Sequence, residues 1–229
     1  MHTRPNATRC LIAIAAALSV AVPSPLLSAK LENWDGLTRV RSKRLDVVYI
    51  RPQADFRLYN KVMVDRPEIA FDSNWQKDYN RTRRSPSTRV EDREIRRAID
   101  GATASFSELL REAYQKEGYA VVDEPAPDVL RVSTAVINVK VTAPERMTAG
   151  RSRTYAAEAG EATLVIEARD SLSGSLLGRA LDRRLAGDKG FVWNSRTTVS
   201  NRSDFEILFR SWAKLSASGL TKLKAMPAQ

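Results

Sequence analysis

The sequence predicts an α+β fold, a mainly antiparallel or mixed sheet of about five or six strands with two long helices packed on one face. Two apolar stripes at helical spacing, one mid-chain and one at the C-terminal end, predict the helices. A strictly alternating segment, EATLVIEAR at 161–169, predicts a half-buried strand. Helices and strands do not alternate along the chain, which argues against a doubly wound fold.

Two short strands are predicted first. Residues 45–51 (LDVVYIR) are β-rich and stop at Pro52, and residues 59–64 (YNKVMV) follow, with Pro67 ending or bending that strand. Residues 72–89 show no periodicity. We therefore expect a surface loop there.

The clearest predicted helix follows this loop. Thr88 and Glu91 have the spacing of a capping box, and Gly118 provides a C-terminal stop. The apolar stripe between them consists of Ile95, Ile99, Ala102, Phe106, Leu109 and Ala113. At about 1.5 Å per residue the helix is roughly 40 Å long, so we expect it to cross the whole sheet.

The second half of the chain predicts a short strand at 119–122, a long strand at 129–142 and a hairpin. The hairpin pairs 161–169 with 175–185 across the turn 170–174. A last helix is predicted from Ser203, with Glu206 at capping-box spacing. Gly219 inside this helix costs about 1 kcal/mol relative to alanine.

Residues 1–29 have the features of a secretory signal peptide. Arg4 and Arg9 precede an apolar run at 11–22, which is too short to span a membrane in helical form. We predict cleavage after Ala29, a periplasmic product and one α+β domain over residues 30–229. A buried N-terminal helix or a short membrane anchor is the alternative reading of this run.

Cleavage would remove Cys10 and His2, the chain's one cysteine and one histidine. This excludes thiol nucleophiles, serine–histidine pairs and cysteine/histidine zinc sites in the mature protein, and we expect neither a metal nor another cofactor. Loss of Arg4 and Arg9 lowers the formal net charge from +10 to +8. A basic exported protein favours anionic lipids, envelope polymers or acidic proteins as partners, with nucleic acid least favoured.

The predicted binding site is a basic and aromatic loop. Arginine can bind phosphate or carboxylate through two hydrogen bonds, and aromatic rings can stack on a ligand. The candidate residues are Trp75, Lys77, Tyr79, Arg81, Arg83, Arg84 and Arg89. The alternative is a solvated basic loop with Trp75 packed into the domain. Arg146, Arg151 and Arg153 in the irregular segment 143–160 could extend the same patch.

Carboxylate catalysis needs two acids roughly 5–9.5 Å apart across a cleft. Glu161 and Glu167 are about 20 Å apart at strand rise, which is too far. Asp170 and Asp182 could approach across the hairpin, although turn and edge roles also explain them. We predict no catalytic residues.

Several short motifs resemble a known bacterial family. They are Trp34-Asp35-Gly36-Leu37, the turn from Asp170 to Gly174, Leu177 and Asp182 on the returning strand, and Phe209 with Trp212-Ala213 in the last helix. Together they resemble the uncharacterised lipoproteins of the family DUF3313. The resemblance implies a Gram-negative envelope protein of unknown function. Lys30 stands where the lipid-bearing cysteine of that family would be, so we expect a lipoprotein-like but unlipidated product.

The sequence therefore predicts an exported, non-catalytic envelope protein that binds an anionic envelope component or a partner protein, with peripheral membrane association as a further expectation. The alternative is a carboxylate-dependent hydrolase acting on an envelope polymer.

Overall fold

A mixed sheet occupies the centre of the protein. The computed structural model describes residues 33–81, 83, 85–86, 89–142, 155–156, 160–187, 194–195 and 198–226, and nine strands of these residues form the sheet. The sheet strands are β1 (Asn33–Trp34), β2 (Leu37–Val40), β3 (Val47–Ile50), β4 (Lys61–Val64), β5 (Glu68–Phe71), β6 (Ala120–Val121), β7 (Val129–Val141), β9 (Gly160–Asp170) and β10 (Leu176–Ala186). A separate pair is formed by β8 (Tyr155–Ala156) and β11 (Asn194–Ser195).

Across the sheet the strands lie in the order β1, β2, β3, β10, β9, β7, β4, β6, and β5 pairs with β7 beyond the end of β4. Strand β4 pairs in parallel with both β6 and β7, and β5 pairs in parallel with β7; the other neighbours are antiparallel. The mixed sheet confirms the predicted α+β class. The long hairpin is also confirmed, since Ala162, Leu164 and Ile166 lie in the core as their alternation predicts.

The predicted count of five or six strands is too low. The sheet strands that the prediction lacks, β1, β2 and β5, have two to four residues each, too few for alternation to be visible. The short strand predicted at 119–122 is present as β6. In particular, β5 begins directly after Pro67, which the sequence indicated only as the end or bend of the preceding strand.

Two long helices, α2 (Asp92–Lys116) and α3 (Thr198–Ala225), pack side by side on one face of the sheet. They run parallel, with ring centroids of Phe106 and Phe209 4.9 Å apart and Tyr114 Oη 2.8 Å from Ser216 Oγ. Helix α2 lies over β4, β5 and β6, and α3 lies over β9 and β10. The helix pair and the sheet thus enclose one hydrophobic core.

The predicted helix starts need correction. Glu91, not Thr88, caps α2, and the Glu94 carboxylate accepts the Glu91 backbone N–H at 3.1 Å; Thr88 itself is outside the described residues. Helix α3 begins at Thr198 rather than Ser203. The polar side chains of Asn201 and Asp204 are buried in its first turns, which is why apolar periodicity did not reveal this part.

A third helix, α1 (Trp75–Arg81), corrects the prediction of a loop at 72–89. Gln76 donates to Asp92 Oδ1 at 2.7 Å, and the Asn80 side chain exchanges two hydrogen bonds with the Val90 backbone. These contacts fasten α1 to the start of α2. A short 3₁₀ helix, Phe56–Leu58, lies against α3.

Candidate ligand-binding pocket

A pocket of about 540 Å³ lies between the C-terminal half of α3 and the helix-facing side of the sheet. Strands β3, β7, β9 and β10 form its floor, and the segment 41–45 closes one side. Its apolar walls include Ile50, Val132, Ile166, Leu215, Leu220 and Leu223. From Leu215 to Met226 the helix runs along the pocket for roughly 17 Å.

Small residues from different elements create this space. Ala168 of β9 pairs with Gly178 of β10, and Ala180 lies two residues further along β10, on the same face of the sheet. Opposite them, a Cβ atom added to Gly219 would meet no atom within 4 Å. A Cβ at Gly178 would instead approach the Tyr49 carbonyl oxygen at 3.3 Å, so a side chain there would make the neighbouring strand shift slightly, whereas Gly219 opens onto empty space.

Away from the rim, the polar side chains that line the pocket are uncharged except for Arg179, whose guanidinium is paired with Glu167 and Asp35. Tyr114 is 1% exposed and shares a hydrogen bond with Ser216. Burial raises the pKa of the Tyr114 phenol far above its usual value, so the phenol stays protonated at neutral pH. Ser218 also lines the pocket, and its buried Oγ has no hydrogen-bond partner among the described residues. The interior therefore suits an apolar ligand group.

The rim of the pocket is basic. Four exposed side chains, here called the rim cations, line it: Arg41, Lys43, Arg44 and Lys222. None of them forms an ion pair with any residue that the structure describes, and no lining residue is acidic. Positive charge around an apolar opening is thus left available to an anionic group.

The rim segment is held in place by hydrogen bonds. The backbone N–H groups of Arg44 and Leu45 donate to Ser42 Oγ at 3.2 and 3.0 Å. Arg184 of β10 donates to the Arg44 carbonyl at 3.1 Å and also to the buried carboxylate of Asp182 at 2.6 Å. The rim is therefore connected to the core through β10.

The predicted binding residues lie away from this pocket, mostly on and just after α1. Trp75 is half-buried, stacks between Phe71 (4.8 Å) and Tyr79 (5.5 Å), and donates from Nε1 to the Val141 carbonyl at 3.0 Å. The guanidinium of Arg83 lies 4.6 Å from the Tyr79 ring centroid. The aromatic members of the predicted site thus pack against the protein itself.

The cationic members of the predicted site are more accessible. Lys77, Arg81 and Arg89 are exposed, and Arg81 pairs with Asp78 at 3.4 Å. Arg84, and likewise Arg146, Arg151 and Arg153 of the second loop, lie outside the described residues. Exposed Arg93, Arg96 and Arg97 on α2 extend the basic character of this region. We call these six exposed cations, Lys77, Arg81, Arg89, Arg93, Arg96 and Arg97, the α1–α2 basic surface. Ligand binding there remains a prediction.

The candidate carboxylates do not converge. Asp182 lies opposite Leu164, six residues along β9 from Asp170 and therefore about 20 Å away. Asp170 accepts hydrogen bonds from the Ser173 backbone and from Tyr59, and these bonds lower its pKa. Within the described residues, no group of three or more histidine, cysteine or acidic side chains could hold a metal ion.

Sequence reasoning missed the pocket. One signal was present in the RSKR run at 41–44, three cations directly before a predicted strand. The other was Gly219, which we expected only to weaken its helix. Neither signal on its own indicates a cavity, because the empty space exists only when the small residues of β9, β10 and α3 line the same region of the folded protein.

The architecture is that of a mixed α+β protein with one open sheet, three helices in the described residues and a lined apolar pocket. The chain belongs to DUF3313, a family of proteins of unknown function, whose pattern matches residues 26–216. This confirms the family expected from the sequence. No curated protein matches the chain significantly.

Three solved structures show distant likeness. A PelC dodecamer from Paraburkholderia phytofirmans is 14% identical, with 76% of this chain and 97% of that chain covered and a TM-score of 0.38. A DUF330 protein from Xanthomonas campestris is 15% identical, with 74% and 86% covered and a TM-score of 0.38. A putative neuraminyllactose-binding hemagglutinin homolog from Helicobacter pylori is 13% identical, with 76% and 89% covered and a TM-score of 0.36. Likenesses this distant carry no functional argument.

Proposed function

We propose that this protein is an exported, non-catalytic envelope protein that binds a single-chain amphiphile with an acidic head group, either carboxylate or phosphate. The observation that carries the proposal is the apolar pocket of about 540 Å³ ringed by the four rim cations. The ligand chain occupies the pocket, and the head group lies among the cations at the rim. The volume falls in the roughly 300–1,000 Å³ range of small-molecule sites.

The two parts of the ligand contribute in different ways. Each methylene group transferred from water into the pocket contributes about 0.8 kcal/mol, which is roughly a fourfold gain in affinity. The head group interacts with exposed cations, so its contribution is smaller and weakens as salt is added. The chain therefore sets most of the affinity, and the acidic group sets orientation and preference.

Export is supported by the signal-peptide features of residues 1–29 and by the family resemblance stated above. Among the described residues, no helix is both long and apolar enough to cross a membrane. A non-catalytic role is supported by the separate, structural uses of Asp170 and Asp182. No observation favours the alternative hydrolase.

The test is a titration of the purified mature protein with saturated fatty acids of increasing length, followed by calorimetry. We expect affinity to rise about fourfold per methylene until the pocket is full and then to level off. Fatty alcohols of matched length should bind more weakly than the acids, with a difference that shrinks at high salt. Affinity that does not depend on chain length would contradict the proposal.

Gly219 offers a variant that fills the pocket without displacing neighbours. Gly219→Leu places its side chain in the open space and should abolish fatty-acid binding while the fold persists. The control is Gly101→Ala, which also replaces a helical glycine but whose Cβ meets only Arg202 Nη2, at 3.6 Å. That variant should bind like wild type, and equal binding by both variants would place the ligand elsewhere.

A further inference from the structure

We infer that the mouth of the pocket is a docking surface for an anionic lipid bilayer and that the amphiphile enters the pocket directly from that bilayer. The entry step rests on the proposed function, but the docking surface has its own evidence. The partner is fixed by the chemistry of the mouth, which combines unpaired cations with exposed apolar surface.

The rim cations come from two separate elements of the chain. Lys43 and its neighbours lie in the segment 41–45, and Lys222 lies in the last turns of α3. With no acidic residue among the lining residues, the charge at the mouth has one sign. This arrangement complements a surface of lipid phosphates, where each nearby basic side chain contributes about a fivefold factor to binding.

Apolar surface lies in the same place. Met226, one turn beyond Lys222, lines the mouth and is 45% exposed, while Leu45 in the segment 41–45 is half-buried. Binding of a dissolved amphiphile accounts for the unpaired cations but not for the exposed Met226 side chain beside them. At a bilayer, both features bind the interface, because the cations meet head groups and the methionine meets the acyl boundary.

The α1–α2 basic surface provides an internal comparison. Helices α2 and α3 run parallel with Tyr114 level with Ser216, so the start of α2 lies roughly 40 Å along the helix axis from Lys222 at the mouth. Arg96 and Arg97 are exposed there and form no ion pair with a described residue. Reversing two charges at the mouth or two charges on the α1–α2 basic surface changes the net charge by the same amount. A difference in vesicle binding between the two variants therefore distinguishes docking by the mouth from attraction by the overall charge.

The experiment measures sedimentation of the mature protein with vesicles of phosphatidylcholine alone or of equal parts phosphatidylcholine and phosphatidylglycerol. We expect binding to the anionic vesicles only. The double variant Lys43→Glu with Lys222→Glu should bind them at least tenfold more weakly, and Arg96→Glu with Arg97→Glu should stay within about threefold of wild type. Circular dichroism and thermal melts check that both variants fold.

The outcomes separate docking from ligand binding. Equal losses in the two double variants, or a larger loss in the α2 variant, overturn the inference. Fatty-acid binding by a wild-type protein that ignores anionic vesicles also overturns it and leaves the proposed function intact. Gly219→Leu should still sediment with the vesicles but take up no fluorescent fatty acid from them; vesicle binding without uptake by the wild type would instead contradict the proposed function.

Discussion

Asp182 is the residue at which helix, sheet and pocket rim meet. Its side chain is 3% exposed and accepts hydrogen bonds from Trp212 Nε1 at 2.7 Å and from Arg184 Nε at 2.6 Å. Arg184 continues the chain of contacts to the Arg44 carbonyl. A buried carboxylate with two such donors orients α3 over β10 and supports the rim, so the turn or edge role expected from the sequence is wrong.

Removing this carboxylate should destabilise the fold. Asp182→Ala leaves the Trp212 N–H without an acceptor and Arg184 without its ion pair, and we expect a loss of about 2–4 kcal/mol in the free energy of unfolding. Urea denaturation at neutral pH measures it. The control is Asp78→Ala, which breaks the exposed pair with Arg81 and should cost less than about 1 kcal/mol. Similar losses in the two variants would mean that Asp182 is not a core contact.

At the scale of elements, the hairpin of β9 and β10 has two different faces. One face lies in the core beneath α3. On the other, open face, Arg179 bonds Glu167 at 2.7 Å and Asp35 at 2.9 Å, and its side chain is only 11% exposed. The next row across the sheet is apolar and consists of Val47, Leu181, Val165 and Ala135. The open face, which no helix in the described structure covers, therefore carries a row of ion pairs beside an apolar row.

This charged network predicts acid sensitivity. Burial opposes ionisation of Glu167, but hydrogen bonds from Arg169 and Arg179 outweigh it, so the carboxyl's pKa falls below its ordinary 4.5. A carboxyl whose folded pKa is lowered stabilises the fold fully above the unfolded pKa and loses that contribution as pH falls through the folded pKa. Urea midpoints should therefore decline below about pH 4.5.

Glu167→Gln tests the assignment. The variant should be less stable than wild type near pH 7, and the difference should shrink as the pH falls through the lowered pKa of Glu167, because protonation leaves both side chains uncharged. Asp78→Asn serves as an exposed control with little effect on stability. A constant difference between Glu167→Gln and wild type across this range would show that the network does not titrate.

Long periodic elements were predictable from the sequence, and so were the short strands β3, β4 and β6, whereas β1, β2, β5, helix α1 and the pocket were not. Thirteen residues of β7 and eleven of β9 contain enough alternation to reveal a strand, and the stripe of α2 is equally clear. Helix α1, with seven residues and none fully buried, has no such stripe. The pocket is lined by the small residues Ala168, Gly178 and Gly219, which belong to three different elements. No local sequence pattern shows that these residues line the same space.

At the scale of the whole molecule, the two basic regions lie at different ends of the helix pair and offer different chemistry. Around Trp75 the aromatic rings are occupied by packing, so that surface presents charge alone. Around the pocket, cations adjoin apolar surface and an empty interior. The proposed lipid binding is based on this second arrangement, and the membrane contact that we infer would therefore lie at the C-terminal end of α3.

Cell fractionation tests both export and this mode of contact. We expect the recovered protein to begin at Lys30, with the portion that sediments with membranes released by a high-salt wash. The physical reason is screening: the Debye length falls from about 10 Å at 0.1 M salt to about 3 Å at 1 M, which weakens contacts between exposed cations and head groups. The control is the variant Lys43→Glu with Lys222→Glu, which should shift to the periplasmic fraction without added salt. A protein that begins at Met1, or one that resists the wash, would show that the N-terminal apolar run holds it in the membrane.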